Sequence, residues 1–449
     1  MNQEIQKIGK EWLGNLPKHW KIDRIKDVCE KITGGGTPKS SISEYWEDGE
    51  ITWISPTDFG KQKGNKYITT SEKKITELGV KKSSATFLPE GTVIMSSRAS
   101  IGEPKIAGKI ITTNQGFISY ITNHKLLNNY LFYCIECQLG DYFLDIATGT
   151  TFMEISRRMA SIEYIPLPSP REQKAIAEYL DKATTKIDHI IAIKKEQLVK
   201  MEENTQSLIS EFVTGKKTLE DCNIYKSSNI EWLGEMPKHW EIKRLFNICD
   251  FVRGNSAFKK NELLNKGKYV ALQYGKTYKV EEVNEQFQFY VNDNFYKSSQ
   301  IVNYGDVIFV STSETMEDLG HSVFYSRNDI GLIGGEQILL KPNKNILDGK
   351  YLFYTTKVFG KELNKFATGL KVFRFDVYDL KTIYIPIPSV KEQKAIAQHL
   401  DKSIAKIKKV ENIILSQIET LKDYRKSLIH ECVTGKKQLA SDIKNQAYA

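Results

Sequence analysis

Ser169-Pro170-Arg171-Glu172-Gln173-Lys174-Ala175-Ile176-Ala177 returns 220 residues later as Ser389-Val390-Lys391-Glu392-Gln393-Lys394-Ala395-Ile396-Ala397. Both stretches open a helix. The serine can accept from the first-turn amides, the glutamate three residues on can reach back to it, and Pro170 takes the first helical position in the first copy. Apolar residues then recur three and four apart. They are Ile176, Leu180, Ala183, Ile187, Ile190, Leu198, Met201, Leu208 and Phe212 in the first copy, and Ile396, Leu400, Ile407, Val410, Ile414, Ile418, Leu421 and Leu428 in the second. Lys194 interrupts one seam and Arg425 the other, so the packing is not a perfect heptad. Each run ends at Val-Thr-Gly-Lys-Lys, residues 213–217 and 433–437. Gly215 and Gly435 suit the left-handed position past a helix end, and the lysines sit favourably beside its negative pole. The spacing predicts two helices of about 44 residues, each roughly 65 Å long at 1.5 Å per residue.

The same offset relates the chain elsewhere. Glu11-Trp12-Leu13-Gly14 and Pro17-Lys18-His19-Trp20 return as Glu231-Trp232-Leu233-Gly234 and Pro237-Lys238-His239-Trp240. Between these starts and the helices the copies have drifted apart, so a constant frame carries two different heads. The repeat sets the boundaries: a first head over 1–168, a helical region over 169–217, a linker over 218–230, a second head over 231–388, a second helical region over 389–437 and a tail over 438–449. A long single apolar stripe needs a partner, and the other copy of itself is the nearest one. Antiparallel pairing lets the short linker turn straight into the second head, whereas parallel pairing would stretch about 15 residues along some 65 Å. The prediction is an antiparallel pair with a head at each end, both termini at one end, and a pseudo-twofold axis across the middle.

At 449 residues, with 40% hydrophobic and 11% aromatic residues, the chain is long enough for two cores. Its net charge of +9 suits contact with a polyanion without demonstrating one. Six cysteines, no signal peptide and no apolar run of spanning length lead us to expect a soluble cytoplasmic protein without disulfides or membrane contact.

Each head reads as mixed α/β with short strands. In the first, 51–55, 92–96 and 116–121 are strand-like and 126–139 helical; in the second, 269–273, 306–310 and 336–340 are the counterparts. The strands end in unlike polar loops, Ser96-Ser97-Arg98-Ala99-Ser100 against Ser311-Thr312-Ser313-Glu314-Thr315, and Gly149-Thr150-Thr151 against Gly369-Leu370-Lys371. Unlike tips on a like scaffold fit contact with unlike things; drift after duplication explains any single loop as well.

Catalytic machinery is not legible. No Asn/Asp-Pro-Pro-Tyr/Phe motif for adenine methylation is present. The stretch from Gly102 to Gly108-Lys109-Ile110 is one residue too long for a phosphate loop and lacks its magnesium-binding hydroxyl. Asp58, Glu72 and Lys74 could be assembled into a nuclease site, but their spacing is loose and the second head does not repeat it, so charged loop residues explain them better. Cys134 and Cys137 have the gap of a metal pair with no second pair, and core packing is the better account, as it is for Cys29 and Cys249.

Taken together, Trp-Leu-Gly-x-x-Pro-x-His-Trp opening each half, Gly34-Gly35-Gly36-Thr37-Pro38, Ile165-Pro166-Leu167-Pro168 and Ile385-Pro386-Ile387-Pro388 before the helices, then Glu-Gln-Lys-Ala-Ile-Ala and Val-Thr-Gly-Lys-Lys make the chain resemble the DNA-specificity subunit of a type I restriction-modification enzyme, over essentially its whole length. The second head departs from the glycine pattern, having Arg253-Gly254-Asn255-Ser256. The resemblance implies two α/β target recognition domains separated by long helices packed as an antiparallel coiled coil. It implies double-stranded DNA as ligand, two modification (methyltransferase) subunits and two translocating restriction subunits as partners, and a role in host defence. It also implies no catalysis and no cofactor in this chain, with S-adenosylmethionine, ATP and magnesium belonging to the partners. Two different heads on one frame should read a bipartite asymmetric site, with half-site centres about one helical turn, on the order of 34 Å, apart. Bidentate side chains read bases, so the candidates are Ser97, Arg98, Gln115 and Thr150 in the first head and Gln273, Lys276, Gln337, Lys371 and Arg374 in the second. Trp12, Trp20, Trp232 and Trp240 either dock a partner or close a small core in each head; the sequence favours neither.

Overall fold

The two long helices span Pro170–Val213 and Val390–Val433, 44 residues each. The structure is a computed structural model and describes residues 5–7, 13–98, 100–148, 153–316 and 318–437. Trp12, Thr150 and the tail over 438–449 lie outside the described residues. Ser169 and Glu172 form the expected reciprocal cap, with Ser169 N–H on Glu172 Oε2 at 3.0 Å and Glu172 N–H on Ser169 Oγ at 3.3 Å. Gly215 and Gly435 end the helices at φ +75° and +69°.

The chain folds as two compact units that cut across the repeat, Met1–Lys194 with Ser416–Ala449, and Lys195–Leu415. Each unit holds one head and part of both long helices. In the first unit Lys194 Nζ donates to Gln417 Oε1 at 2.7 Å, Arg425 pairs with Asp188 at 3.0 Å, and Lys437 lies 5.0 Å from the Tyr179 ring centre. Numbers fall along one helix as they rise along the other, so the helices run antiparallel there. The two cations that broke the apolar seams are thus polar links between the helices. In the second unit Phe212 faces His399 with ring centres 4.6 Å apart, in the same antiparallel sense. The seam itself departs from expectation at one place in each copy: Ile190 and Val410 are 42% and 47% exposed, with Ile191 covered in place of Ile190 at 8%, while Ile414 is covered as expected.

Both heads are mixed α/β. The first has a five-stranded sheet in the order Cys29–Gly34, Phe117–Thr122, Val93–Ser96, Pro104–Ala107, Tyr67–Ile68, antiparallel except for the last pair, and a smaller sheet around Ile51–Ile54. The second repeats it with Cys249–Arg253, Gln337–Pro342, Val307–Val310, Ser322–Tyr325 and Glu282–Val283, and has a four-stranded sheet around Tyr269–Leu272 and Gly331–Ile333. Two one-residue slips disguise the correspondence. Thr122 pairs with Cys29 and Ile121 with Lys31, a bulge that the second head lacks, where Pro342 and Lys341 pair with Cys249 and Asp250. Gly35 therefore matches Gly254. A Cβ on either would meet a carbonyl oxygen, Asn114 O at 2.1 Å or Gly334 O at 1.7 Å, so the shared glycine survives a departure that looked complete in the sequence. The other slip is in the head's main helix. One more residue separates Tyr130 from Gly140 than separates Tyr351 from Gly360, and the first head absorbs it as a π-helical turn over Ile135–Leu139.

The segments on which the copies agree meet at one joint in each unit. Gln173 is fully buried; its Oε1 accepts from Leu127 N–H at 2.8 Å and its Nε2 donates to Lys125 O and Pro168 O at 2.8 and 2.9 Å. Gln393 repeats this with Asp348 N–H, Ile346 O and Pro388 O at 2.8, 2.9 and 2.9 Å. A buried glutamine with its acceptor and donors all used ties the head's helix-entry loop to the start of the long helix. Tyr130 Oη lies 3.2 Å from both Pro166 O and Val433 O, and Tyr351 Oη lies 3.1 and 3.3 Å from Pro386 O and Val213 O. Each head is thereby fastened to the start of its own helix and the end of the other copy's. Trp20 and Trp240 complete the joint. A Cβ on Gly435 would meet Pro17 and Trp20, and one on Gly215 would meet Pro237 and Trp240, so the Thr-Gly-Lys-Lys ends pack directly on the Pro-x-His-Trp turns. His19 and His239 reach Glu172 and Glu392 at 2.9 and 3.2 Å, and Trp240 Nε1 donates to Glu392 at 3.0 Å.

Candidate nucleic-acid interface

In the first head the reading candidates gather where Val93–Ser96 ends and Phe117–Thr122 begins. Ser97 N–H donates to Gly116 O at 2.9 Å, and Ser97 O accepts from Ile155 N–H at 3.1 Å. These bonds splice the edge of the sheet to the paired residues Thr148 and Glu154, which exchange backbone bonds of 3.1 and 2.9 Å. Arg98 faces Glu154 and pairs with it at 2.9 Å, both side chains being exposed. Gln115 is exposed and accepts from the Thr37 hydroxyl. Ser97 itself is buried, so its contribution is the splice rather than an exposed side chain.

The second head builds the same edge from different residues. Ser311 stands where Ser97 does, with its N–H on Glu336 O at 3.0 Å and its carbonyl accepting from Phe375 N–H at 3.3 Å. Thr312 faces Arg374 and Thr368 faces Arg374, the latter through a pair of 2.9 Å backbone bonds. Arg374 and Lys371 are exposed, and among the described residues no acid pairs with Arg374. Next to Lys371 the turn puts Leu370 98% exposed. Lys276 lies in the adjoining short helix Tyr274–Thr277, its ammonium 4.5 Å from the Phe289 ring centre, and Tyr274 Oη ties that helix to Thr312 O at 3.3 Å. Gln273 spends its amide on Phe258 O at 2.9 Å. Gln337 is fully buried, and neither its Oε1 nor its Nε2 has a partner among the described residues.

The sequence missed Glu154 and Thr312. Both sit directly opposite a candidate arginine, and Glu154 is the repeat counterpart of Arg374, so strict alignment of the copies would have exposed it. At one and the same place the first head has an arginine neutralised by a glutamate, and the second has an arginine opposite a threonine. The edges can donate and accept in different patterns, as base edges in the major groove require.

The remaining chemical candidates are committed elsewhere. The Asp58 carboxylate accepts from Ser55 N–H, Ser55 Oγ and Glu72 N–H at 2.9, 2.5 and 2.7 Å, closing a helix cap. Cys134 and Cys137 are buried, and among the described residues no cluster of three or more His, Cys, Asp or Glu is placed to hold a metal. Gly102, at φ +84°, backs onto Gly140. Two buried cations are structural: Lys105 Nζ donates to Gln62 O and Asn65 O at 2.7 and 2.9 Å, and Arg327 to Asp329 and to the carbonyls of Asn284 and Phe287. Burial pushes the Lys105 ammonium below its ordinary pKa, whereas the Asp329 carboxylate raises that of Arg327. Trp20 and Trp240 are buried in the joints, whereas Trp232 is half-buried with its ring 6.4 Å from that of Phe359.

The family model described as Type I restriction modification DNA specificity domain matches residues 17–201 and again 237–420. The chain belongs to this family. The specificity subunit of the type I restriction enzyme MjaIX from Methanocaldococcus jannaschii is 28% identical over 435 residues, covering 94% of both chains. That of EcoR124I/EcoR124II from Escherichia coli is 32% identical over 160 residues, covering 34% of this chain and 39% of that one. Among solved structures, a chain from work on complex assembly and conformational transition of the type I R-M system superposes with TM-score 0.71 at 18% identity, covering 93% of this chain and 98% of that one. The HsdS subunit from Thermoanaerobacter tengcongensis gives 0.51 at 17% identity, with 94% and 98% covered. These neighbours share the fold. As a type I specificity subunit the chain selects DNA targets and is not itself catalytic. No helix among the described residues is long and apolar enough to cross a membrane.

Proposed function

We propose that the two heads read the two halves of a bipartite, asymmetric site in duplex DNA, and that the long helices hold the heads at a fixed spacing and dock two modification subunits, with two restriction subunits joining in the complete enzyme. The observation that carries this reading is the pair of edges: one frame, one splice through Ser97 or Ser311, and Arg98 with Glu154 exchanged for Thr312 with Arg374. Docking is supported by apolar residues that the helix seams leave outside, Ile190 and Ile193 in the first copy and Val410 and Ile413 in the second. They recur at the repeat offset, one pair to each unit, as two like partners require. Reaction chemistry then belongs to the partners, which supply S-adenosylmethionine, ATP and magnesium sites in the cytoplasm.

The test is selection from randomised duplex DNA by the chain assembled with its modification subunits. The proposal expects two short specific runs separated by an unread spacer, with one run replaced when residues 11–168 are exchanged for another head. A single contiguous run, or no enrichment by an assembled complex, overturns it. No enrichment would favour an adaptor that never touches DNA.

A further inference from the structure

The seam between head and helices carries opposite charges in the two units. In the first unit Glu136, in the π-helical turn of the head, pairs with Arg425 at 3.1 Å, and Arg425 also pairs with Asp188 at 3.0 Å. Glu136 is mostly buried, and its Oε2 has no partner of its own among the described residues, so Arg425 is what neutralises it. Lys66, on the same side of the head, donates to Asp181 at 2.5 Å, and Tyr133 Oη donates to the same oxygen at 2.5 Å.

The repeat gives the counterpart of every one of these residues. Tyr354 and Asp401 reproduce Tyr133 and Asp181, with Tyr354 Oη on Asp401 Oδ1 at 2.6 Å. Around that constant pair the charges change. Glu136 becomes Lys357, Lys66 becomes Glu281 one residue before the matching strand, Asp188 becomes Lys408 and Arg425 becomes Thr205. Lys357 pairs with Glu281 inside the head and donates to Ser322 O at 2.8 Å. The lysine that reaches Asp401, at 3.5 Å, is Lys350 from the head's helix rather than one beside the edge strand. Where Arg425 bridges helix to head in the first unit, the second has a cleft of about 860 Å³ lined by Thr205, His321, Lys357, Lys408 and Glu411 among others.

We propose that the first head is keyed to its own position on the helices by this charge pattern: its Glu136 requires the arginine at 425, which the threonine at the corresponding position 205 does not supply. The physical reason is the price of an unpaired charge in the seam. A mostly buried carboxylate that loses its guanidinium keeps its desolvation penalty, whereas the cleft around Thr205 carries acids, Glu202, Glu281 and Glu411 among them, as well as Lys357 and Lys408. Heads are therefore exchangeable like for like, first for first, while a first head moved to the second position needs position 205 changed with it. The keying is independent of which bases the heads read.

One substitution made in two full-length chains tests this. Thr205→Arg in the natural chain should leave the thermal midpoint nearly unchanged, because Lys357 stands where Glu136 does and the cleft carries both signs of charge. The same change in a chain whose residues 232–388 are replaced by 12–168 should raise it, because the arginine then meets the second copy of Glu136. Should that chimera not fold, the natural chain still decides. Arg425→Thr should lower the midpoint, and adding Glu136→Gln to Arg425→Thr should recover part of the loss, which a merely space-filling arginine would not allow. A rise on Thr205→Arg in the natural chain as large as in the chimera, no rise in the chimera, or no recovery by Glu136→Gln overturns the proposal.

Discussion

The hydroxyl of Tyr351 lies 3.3 Å from the carbonyl oxygen of Val213, the last residue of a helix that begins after the other head. Tyr130 stands in the same relation to Val433. The near-identity of the head starts, helix starts and helix ends follows from this geometry, because all three meet at the joint, and a joint made twice from one set of contacts tolerates little drift. The loops that face away from it are free to differ.

Tyr351→Phe removes the shared donor and leaves a buried helix-end carbonyl wanting. We expect a loss of about 1–2 kcal/mol in urea unfolding of the full chain, with Tyr130→Phe giving a similar loss in the first unit.

Gln393→Ala should be more damaging. It orphans Asp348 N–H, Ile346 O and Pro388 O together and leaves a cavity. A loss on the order of 3 kcal/mol is expected by the same measurement, and Gln393→Glu should not rescue it, since a carboxylate cannot donate to two carbonyls.

Two glycines with left-handed backbone separate conformational strain from packing. Gly234 has φ +67° with open space where a Cβ would be, so Gly234→Ala should cost only the strain of a left-handed residue, about 1 kcal/mol. Gly215→Ala has φ +75° and would also place Cβ 2.3 Å from Pro237 Cδ and 3.0 Å from Trp240. Its loss should exceed that of Gly234→Ala by at least as much again, read as the difference between the two unfolding midpoints.

Two carboxylates should shape the acid limb in opposite directions. Burial raises the Glu136 pKa above its ordinary value of 4.5 more than Arg425 lowers it. Its folded pKa being the higher, its contribution is full below the unfolded value and is lost as pH rises through the folded one. Glu282 is also pushed up by burial, but Lys350 and Ser326 outweigh this and bring it below 4.5. Its contribution is present above the ordinary value and is lost as pH falls through the lower folded one. Stability measured from pH 3 to 7 should therefore fall less steeply on the acid side in Glu282→Gln and more steeply in Glu136→Gln.

Gln337 buries an amide that finds no partner among the described residues, which is unfavourable unless the side chain is needed elsewhere. Gln337→Met keeps the length and removes the polar atoms, so it should stabilise the second head by about 1–2 kcal/mol. If the glutamine is retained for reading, the same variant should weaken preference in one half-site only.

Much of this was legible in the sequence. The repeat gave the two heads, the capping boxes gave the helix starts, and Gly215 and Gly435 gave their ends. The misreadings have local physical causes. Ile190 fits a period of three and four as well as Ile191 does, Val410 fits it as well as Ile414 does, and only the partner helix decides that Ile190 and Val410 stay uncovered. Gly254 was hidden from its partner Gly35 by a bulge at the other end of the strand, because one inserted residue breaks the offset without moving the close approach. Glu154 was overlooked because an acid is an unexpected neighbour for a reading arginine. Trp20 and Trp240 could be weighed as docking residues only while the helix ends that cover them were out of sight.

Genome-wide adenine methylation, mapped by single-molecule sequencing in a host expressing the chain with its modification subunits, tests the central claim most directly. The account predicts one bipartite motif methylated in both halves, with Arg374→Ala relaxing one half by about 1–3 kcal/mol of discrimination and sparing the other. An unchanged motif after Arg374→Ala, or no motif from an assembled and active complex, would contradict it.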